Sequence, residues 1–300
     1  MKKNITSSLL LALGFVSALA QTHTLTLTSN DETLGTVSYK VITVGALPGE
    51  FSVSATKKVR FSKGNLQYQA STKTWRFAEH QYDYIGDNNK NISSTYTGWI
   101  DLFGWGTSGW NSGATAYQPY STSTTSADYY PGNSATTNLT GTYANADWGV
   151  YNAITNGGNA KGMWRTLTKD EWVYLLSTRS TSLRSLATVD DKSGLIILPD
   201  NWVKPAGINY TATTSNYTTN TYTAAQWATM EAAGAVFLPA AGGRLGMSMS
   251  NVGTGGYYWS SSYYSSTNAC YMGFLSGYLF PSTSTYRFSG RSVRLVQDVK

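Results

Sequence analysis

Short stretches in which polar and apolar residues alternate run through the chain and predict β-strands. Residues 23–29 alternate with a period of two, residues 36–44 repeat the pattern, and the polar segment 30–35 between them has the composition of a turn. The segment 57–60 has alternating apolar neighbours, which predicts a strand with one solvated face. These patterns predict an N-terminal β-hairpin that is followed by further strands.

The last third of the chain carries short apolar runs separated by glycine and serine. Residues 235–238 predict a strand that Pro239 stops, because proline cannot continue a central strand. Residues 257–262, 269–274 and 292–296 predict three more strands. The sequence therefore predicts a cluster of strands late in the chain.

Two segments change to helical spacing and carry start signals. Thr168 and Glu171 have the spacing of a capping box, and Trp172, Leu175 and Leu176 then share one helical face. The second predicted helix has the same capping pair at Thr223 and Gln226. Trp227, Met230 and Ala233 follow on it, and Gly234 is its terminal glycine. Two long polar segments, 111–146 and 209–222, are expected to be loops, and loops of such length are usually functional or mobile.

The first residues have the pattern of a secretory signal peptide. Two lysines at positions 2 and 3 precede an apolar run over 9–16 and a small-residue cleavage site at 18–20. This run is shorter than the about 20 residues that a membrane span needs. We therefore expect a secreted or cell-surface protein whose mature chain begins at Gln21. The predicted division of the chain is a signal peptide at 1–20, an N-terminal β-hairpin segment at 21–49 and one domain over 50–300.

Composition narrows the class of protein. Only 13% of the residues are charged and 14% are aromatic, whereas a typical soluble domain is about 25% charged. Few charges and many aromatic residues exclude a disordered chain, and the lack of heptads excludes a coiled coil. The formal charge of +6 falls to +4 when the leader is removed. Because no basic stripe accompanies this small excess, we expect no nucleic-acid partner.

Little in the sequence predicts metal or redox chemistry, and no cofactor is expected. Cys270 is the only cysteine, which excludes a disulfide within the chain, and its neighbours predict a buried, inert thiol. His23 and His80 lie far apart, so a zinc site has little basis. The segment 87–91 matches only the first three ligand positions of a calcium loop, which predicts a polar turn.

Carboxylates offer an enzymatic alternative, since pairs of Asp or Glu hydrolyse glycosides. The candidates are Asp83, Asp101, Asp147, Asp170, Glu171 and Asp200. The sequence brings no two of them together, and the pair at 170 and 171 has a simpler role at a helix N-terminus. We expect a protein that is not an enzyme. A glycan-active hydrolase that uses Asp83, Asp101 or Asp147 is one alternative, and a structural surface subunit is another.

Tryptophan and tyrosine occupy different parts of the chain. In 98–110 and 162–167, tryptophans stand beside glycines and apolar residues, which favours core packing over the alternative of a platform for sugar rings. In 257–286, seven tyrosines stand among Ser, Thr, Asn and Gly, a mixture typical of antibody-like binding surfaces. The predicted ligand-binding residues are Tyr257, Tyr258, Tyr263, Tyr264, Tyr271, Tyr278 and Tyr286.

Four blocks follow one another in the second half of the chain. They read Gly-x-Trp-Arg-x-Leu-Thr-x-x-Glu-Trp at 162–172, Gly-x-x-x-Leu-Pro-Ala-Ala-Gly-x-Arg at 234–244, Gly-x-Tyr-Trp-Ser-Ser at 256–261 and Ser-Gly-x-Ser-Val-Arg-Leu-Val at 289–296. Together these blocks resemble the Fibrobacter succinogenes major paralogous domain. That family is similar to the C-type-lectin-like fold of sulfatase-modifying enzymes and of retroelement variable proteins.

The resemblance implies an α+β, C-type-lectin-like domain with two helices, short antiparallel strands and long loops, in which the first and last strands pair. It implies a non-catalytic recognition or adhesion protein, because the sulfatase-modifying branch uses paired cysteines and this chain has only Cys270. The Glu-Pro-Asn, Gln-Pro-Asp and Trp-Asn-Asp motifs of calcium lectins are missing. The expected partner is a protein or carbohydrate at the cell surface. We expect this protein to have no membrane span once the leader is removed.

Overall fold

The computed structural model describes residues 24–28, 36–40, 43–110 and 117–299. The predicted signal peptide and its cleavage site lie outside the described residues. Within the described part, the chain combines few α-helices with many short strands in small, mostly antiparallel sheets. The expectation of a mixed α and β protein is therefore confirmed.

The helices and strands follow the chain in this order. The strands are β1 (Thr24–Thr28), β2 (Thr36–Lys40), β3 (Phe51–Ser52), β4 (Lys58–Phe61), β5 (Leu66–Gln69), β6 (Thr74–Phe77), β7 (Trp99–Ile100), β8 (Arg165–Thr166), β9 (Arg184–Val189), β10 (Lys192–Ile197), β11 (Thr221–Tyr222), β12 (Val236–Pro239), β13 (Gly243–Leu245), β14 (Ser248–Ser250), β15 (Gly255–Tyr263), β16 (Asn268–Leu275), β17 (Tyr278–Tyr286) and β18 (Leu295–Asp298). The α-helices are α1 (Trp148–Tyr151), α2 (Lys169–Val173) and α3 (Ala224–Ala232). Short 3-10 turns occupy Gly86–Lys90, Ser126–Tyr129, Pro131–Asn133, Gly141–Ala146 and Thr181–Leu183, and a π-helical turn over Tyr174–Thr178 continues α2.

The strands assemble into six small sheets within the described residues. β1 and β2 pair antiparallel and lie within the two N-terminal segments that were predicted as strands. The last strand, β18, pairs with the early strand β4 and with β8, in a sheet of order β3-β4-β18-β8. The other sheets have the orders β6-β5-β7, β11-β9-β10-β12, β13-β14 and β15-β16-β17. The pairing of β11 with β9 is parallel, and the other pairings within these sheets are antiparallel.

The sheet of β15, β16 and β17 separates two apolar clusters. Tyr258 and Met272 are paired across β15 and β16 and belong to a cluster that also contains Trp172. Trp259 and Ala269 belong to the second cluster, which also contains Phe77, Trp105, Trp148 and Trp164. Because both faces of β15 are covered, this strand carries large buried residues at consecutive positions instead of alternating them with polar ones.

Both predicted capping boxes are confirmed. The Glu171 amide donates to the Thr168 hydroxyl at 3.2 Å while the Thr168 amide donates to the Glu171 carboxylate at 2.8 Å, and Thr223 makes the corresponding pair of bonds. Gly234 follows α3 with φ of +97°, and a Cβ there would lie 2.8 Å from the Cα of Gly49. Only glycine fits this position, because it tolerates both the positive φ and the close backbone approach.

Three details differ from the predicted elements. Pro239 is the last residue of β12 and not the residue beyond it. The final strand begins at Leu295, three residues later than predicted. Arg60, a residue of β4, is buried and forms an ion pair with Glu50, so this cation lies away from the predicted solvated face. The hydrophobic pattern could not reveal the burial of Arg60, because such a pattern places every charged side chain on the solvent face.

Three arginines are buried near the end of the chain, and within the described residues none of them forms an ion pair. Arg287 donates to the carbonyl oxygens of Ala135 and Ser265, and its guanidinium lies 4.7 Å from the centre of the Trp105 ring and 4.9 Å from that of Tyr130. Burial lowers the pKa of Arg287 to about 10. The other two are Arg244 and Arg294, which donate to carbonyl and amide oxygens. These charges are stabilised by dipoles and rings rather than by carboxylates.

Candidate binding site

A cleft of about 620 Å³ lies beside the N-terminus of α2 and the strands β16 and β17. Its lining consists mainly of hydroxyl groups, with one amide, one ion pair and one thiol. The lining residues are Asn138, Lys169, Asp170, Ser262, Tyr263, Tyr264, Cys270, Ser282, Thr283 and Ser284. This volume lies in the range of small-molecule sites, which is about 300–1,000 Å³.

Three distant segments meet at the cleft and fix its shape. The Tyr263 amide donates to the Asn138 Oδ1 at 3.0 Å, which ties the end of β15 to the long polar segment. The Lys169 amide donates to the Ser262 Oγ at 3.0 Å, which ties β15 to the first turn of α2. Ser126 also donates to the carbonyl of Thr267, so the polar segment is held to the β15–β16 turn at a second point.

Three of the seven predicted tyrosines lie at or beside this cleft. Tyr263 and Tyr264 line it and are 36% and 65% exposed, and Tyr286 at the end of β17 is 53% exposed. The Tyr264 amide donates to the carbonyl of Asn268, and Asn268 is paired with Tyr286 across β16 and β17. Since paired residues of antiparallel strands point to the same face, Tyr286 lies on the face of Cys270 and Ser284 that lines the cleft.

Tyr278 lies at the opposite end of β17 and on its other face. Gly273 of β16 is paired with Tyr257 of β15 and with Phe280 of β17. The register of the β16–β17 pairing shifts between Gly273 and Tyr271. This bulge reverses the faces of β17, so the exposed aromatic residues before it and after it point in opposite directions. Tyr278 and Phe280 stack at 6.1 Å between ring centres and form a second, smaller aromatic surface.

The remaining three predicted tyrosines belong to the protein interior. Tyr258 is fully buried, and Tyr257 is nearly so and accepts a hydrogen bond from Asn251 at 2.7 Å. Tyr271 is half-buried, and the guanidinium of Arg291 lies over the rings of Tyr257 and Tyr271 at 4.5 and 5.4 Å. Tyr257 and Tyr258 therefore have almost no surface to offer to a ligand, because both faces of their strand are covered.

The electrostatics of the cleft are nearly neutral. Lys169 and Asp170 form an ion pair of 3.4 Å that is exposed to solvent. The Cys270 thiol is buried, as predicted, and donates to the Tyr263 carbonyl at 3.6 Å. Burial raises the pKa of this thiol, so it stays protonated at neutral pH. The cleft thus offers hydroxyl, amide and aromatic contacts but no activated nucleophile.

Two carboxylates of the hydrolase alternative are fully buried and bind backbone amides. Asp101 accepts from the Ile85 amide at 2.9 Å and from the Asn89 side chain at 2.7 Å. Asp147 accepts from the Gly149 amide at 2.9 Å, where it caps α1, and from the Thr166 amide at 2.8 Å. Burial raises the pKa of both carboxyl groups to about 6. These contacts give both carboxylates a structural role in the local fold.

The other carboxylates also have local partners. Asp83 accepts from the His80 amide, and Asp200 accepts from Ser52 and pairs with Arg179 at 3.0 Å. Glu171 binds Arg165 at 2.7 Å in addition to its capping bond. The 3-10 turn Gly86–Lys90 overlaps the segment 87–91, and its Asn89 side chain donates to the Asp101 carboxylate. Among the described residues, no three potential His, Cys, Asp or Glu ligands are grouped around a possible metal position.

The tryptophans behave largely as predicted. Trp105 and Trp164 are buried, and their indole groups donate to the carbonyls of Ser260 and Gly157 at 2.8 Å. Trp99 and Trp110 are only half-buried, at the two ends of the same aromatic segment. Core packing therefore accounts for the centre of 98–110 but not for its edges.

The sequence did not reveal several residues of the cleft. Asn138, Lys169 and Asp170 lie far from the tyrosine segment in the chain, and Ser282 to Ser284 carry no distinctive pattern. Comparison with protein-family models, with curated proteins and with solved structures finds no match to this chain. In the part of the chain that the structure describes, no helix is long and apolar enough to cross a membrane.

Proposed function

We propose that this chain is a secreted or cell-surface recognition protein that binds a protein or glycan ligand without catalysis. The ligand-binding surface in this proposal is the cleft beside α2 together with Tyr263, Tyr264 and Tyr286. The observation that carries the proposal is the exposure of these three tyrosines around a hydroxyl-lined cleft.

The composition of this surface supports recognition. Tyrosine offers a large amphipathic contact area and loses little conformational entropy when it is fixed, while Ser, Thr and Asn adapt their hydrogen bonds to the partner. Large aromatic residues are otherwise mostly buried in soluble proteins, so several exposed ones near a cleft indicate a contact surface. The nearly neutral charge of the cleft suits a ligand that is recognised by shape and hydrogen bonds.

The architecture supports a C-type-lectin-like domain as the finer description of the fold. In that expectation the first and last strands pair, two helices flank the sheets, and loops and late strands display the ligand surface. The pairing of β18 with β4, the two capped helices α2 and α3, and the position of the cleft on β15 to β17 agree with it. The proposal of this fold rests on these features together with the resemblance to the major paralogous domain family.

The test is ligand capture by the protein lacking residues 1–20, on glycan arrays and on arrays of cell-surface proteins. The variant Tyr263→Ala, Tyr264→Ala, Tyr286→Ala is expected to lose at least 100-fold in affinity for a captured ligand, since tyrosine hot spots contribute about 2 kcal/mol or more each. Its melting temperature should stay close to that of the parent, because exposed substitutions change stability by about 0.5 kcal/mol.

The matched control is the variant Val203→Ala, Met247→Ala, which removes two exposed apolar side chains that do not line the cleft. This control should bind like the parent. A separate variant, Tyr278→Ala with Phe280→Ala, reports whether the second aromatic surface contributes. The proposal fails if the triple cleft variant captures every ligand as well as the parent does.

A further inference from the structure

A second cavity, of about 510 Å³, lies on the part of the fold that is formed by the first half of the chain. Its aromatic walls are Tyr68, Trp75, Tyr120 and Tyr151, which lie on β5, β6, the polar segment and α1. The Tyr68 and Trp75 rings pack on each other at 4.5 Å between their centres and expose little ring surface. None of the tyrosines predicted as ligand contacts lines this cavity.

Polar atoms in these walls lack partners within the described residues. The Tyr68 hydroxyl and the Trp75 indole N–H make no hydrogen bond there, and neither atom is fully buried, so both polar atoms reach the surface of the cavity. A phenol hydroxyl and an indole N–H side by side in the wall of a cavity are available to donate hydrogen bonds to a ligand.

The remaining lining residues add further free groups. The side-chain amide nitrogen of Asn152 donates to the carbonyls of Ser108 and Trp148, which leaves its Oδ1 as an acceptor for a ligand. The side chains of Gln118 and Tyr120 make no hydrogen bond to the described residues. Aromatic faces combined with several donors and acceptors are suited to a sugar ring, whose C–H face is apolar and whose edge carries hydroxyls.

The charge around the cavity distinguishes among sugars. Lys73 is the one charged residue in the lining, and it forms no ion pair with the described residues. A second cation, Lys161, lies 4.5 Å from the centre of the Tyr151 ring. This positive excess opposes a cationic ligand and favours a carboxylate.

We propose that this cavity binds one residue of an acidic glycan, with the half-buried rings of Tyr120 and Tyr151 against the sugar ring and Lys73 against its carboxylate. The site is separate from the cleft beside α2. It therefore gives the protein a second, independent specificity, and it does not require that the first be correct.

The probes are the methyl glycosides of galacturonate, glucuronate and N-acetylneuraminate, with methyl galactoside and methyl glucoside as neutral counterparts. Ligand-observed NMR at millimolar concentration should show saturation transfer to at least one acidic glycoside, with affinity about fivefold above its neutral counterpart, the order of one partly exposed ion pair. Lys73→Gln should abolish that preference while leaving the weak neutral signal. Tyr120→Ala should weaken binding of both kinds of sugar.

Lys204→Gln is the matched control, since Lys204 is equally exposed and does not line the cavity. It should retain the acidic preference. Because Lys73 lies on the surface, Lys73→Gln is expected to fold even if Tyr120→Ala does not, and melting curves verify this. Absence of saturation transfer from all three acidic glycosides, or a preference that survives Lys73→Gln, would overturn the proposal.

Discussion

Replacing Tyr258 by Phe separates a structural role from a binding role at a position that sequence reasoning assigned to the ligand surface. The Tyr258 hydroxyl donates to the Pro239 carbonyl at 2.7 Å and accepts from the Asn65 Nδ2 at 3.3 Å. Its ring packs near Trp172 and stacks on Phe274. Tyr258→Phe removes both hydrogen bonds and leaves the packing in place.

The size of the effect follows from what the partners keep. The Pro239 carbonyl still accepts from the Ala241 amide at 2.9 Å, and the side-chain Oδ1 of Asn65 still accepts from Arg294. One net hydrogen bond is worth about 0.5–1.5 kcal/mol, and the partly unsatisfied amide adds to this. We therefore expect a loss of about 1–2 kcal/mol. In a domain of this size that lowers Tm by roughly 2–8 °C.

The assay combines thermal unfolding at pH 7 with ligand capture on the arrays described above. Tyr258→Phe should unfold at lower temperature and bind as well as the parent, whereas Tyr264→Phe, at an exposed position, should leave Tm unchanged. An unchanged Tm together with lost capture for Tyr258→Phe would refute the assignment of Tyr258 to the core.

Three further predictions follow from buried or capping groups. Because the folded-state pKa of Asp101 and Asp147 is raised from 3.8 to about 6, their stabilising contribution is complete below about pH 4 and is lost as pH rises through 6. Each group contributes about 3 kcal/mol to this pH dependence. Asp147→Asn should therefore remove about half of the pH dependence of the unfolding free energy. A pH profile identical to that of the parent would contradict this prediction. Thr168→Ala should cost about 1 kcal/mol in urea unfolding through loss of the capping box; no change in the midpoint would show that the cap is dispensable. The Cys270 thiol should resist a thiol reagent in the native protein and react fully in denaturant, so rapid native labelling would show that the cleft opens to it.

The helix starts were predictable because their signals are local. Thr168 and Glu171 stand three residues apart, and the two hydrogen bonds of a capping box join just these two residues. The position of Gly234 after α3 was predictable for the same reason. Such elements need no knowledge of what packs against them.

The binding surface was only partly predictable because burial depends on distant partners. Tyr258 stands in a polar-looking run, yet both faces of its strand are covered by elements from elsewhere in the chain. The cleft depends on a bond between Asn138 and Tyr263, which are 125 positions apart, and no local pattern signals it. The bulge in β17 that divides Tyr278 from Tyr286 is likewise a property of strand pairing.

The anchoring of Arg287 has a consequence for how this protein can change. Its guanidinium holds the polar segment and the β15–β16 turn through the main-chain carbonyls of Ala135 and Ser265, which every amino acid possesses. Substitution at either position therefore keeps the acceptor, and attachment does not depend on the identity of the side chain. Loops fastened in this way can accumulate substitutions on their outer surface while the scaffold keeps its shape. Such a scaffold is suited to combinatorial libraries in which the loops vary and Arg287 stays constant.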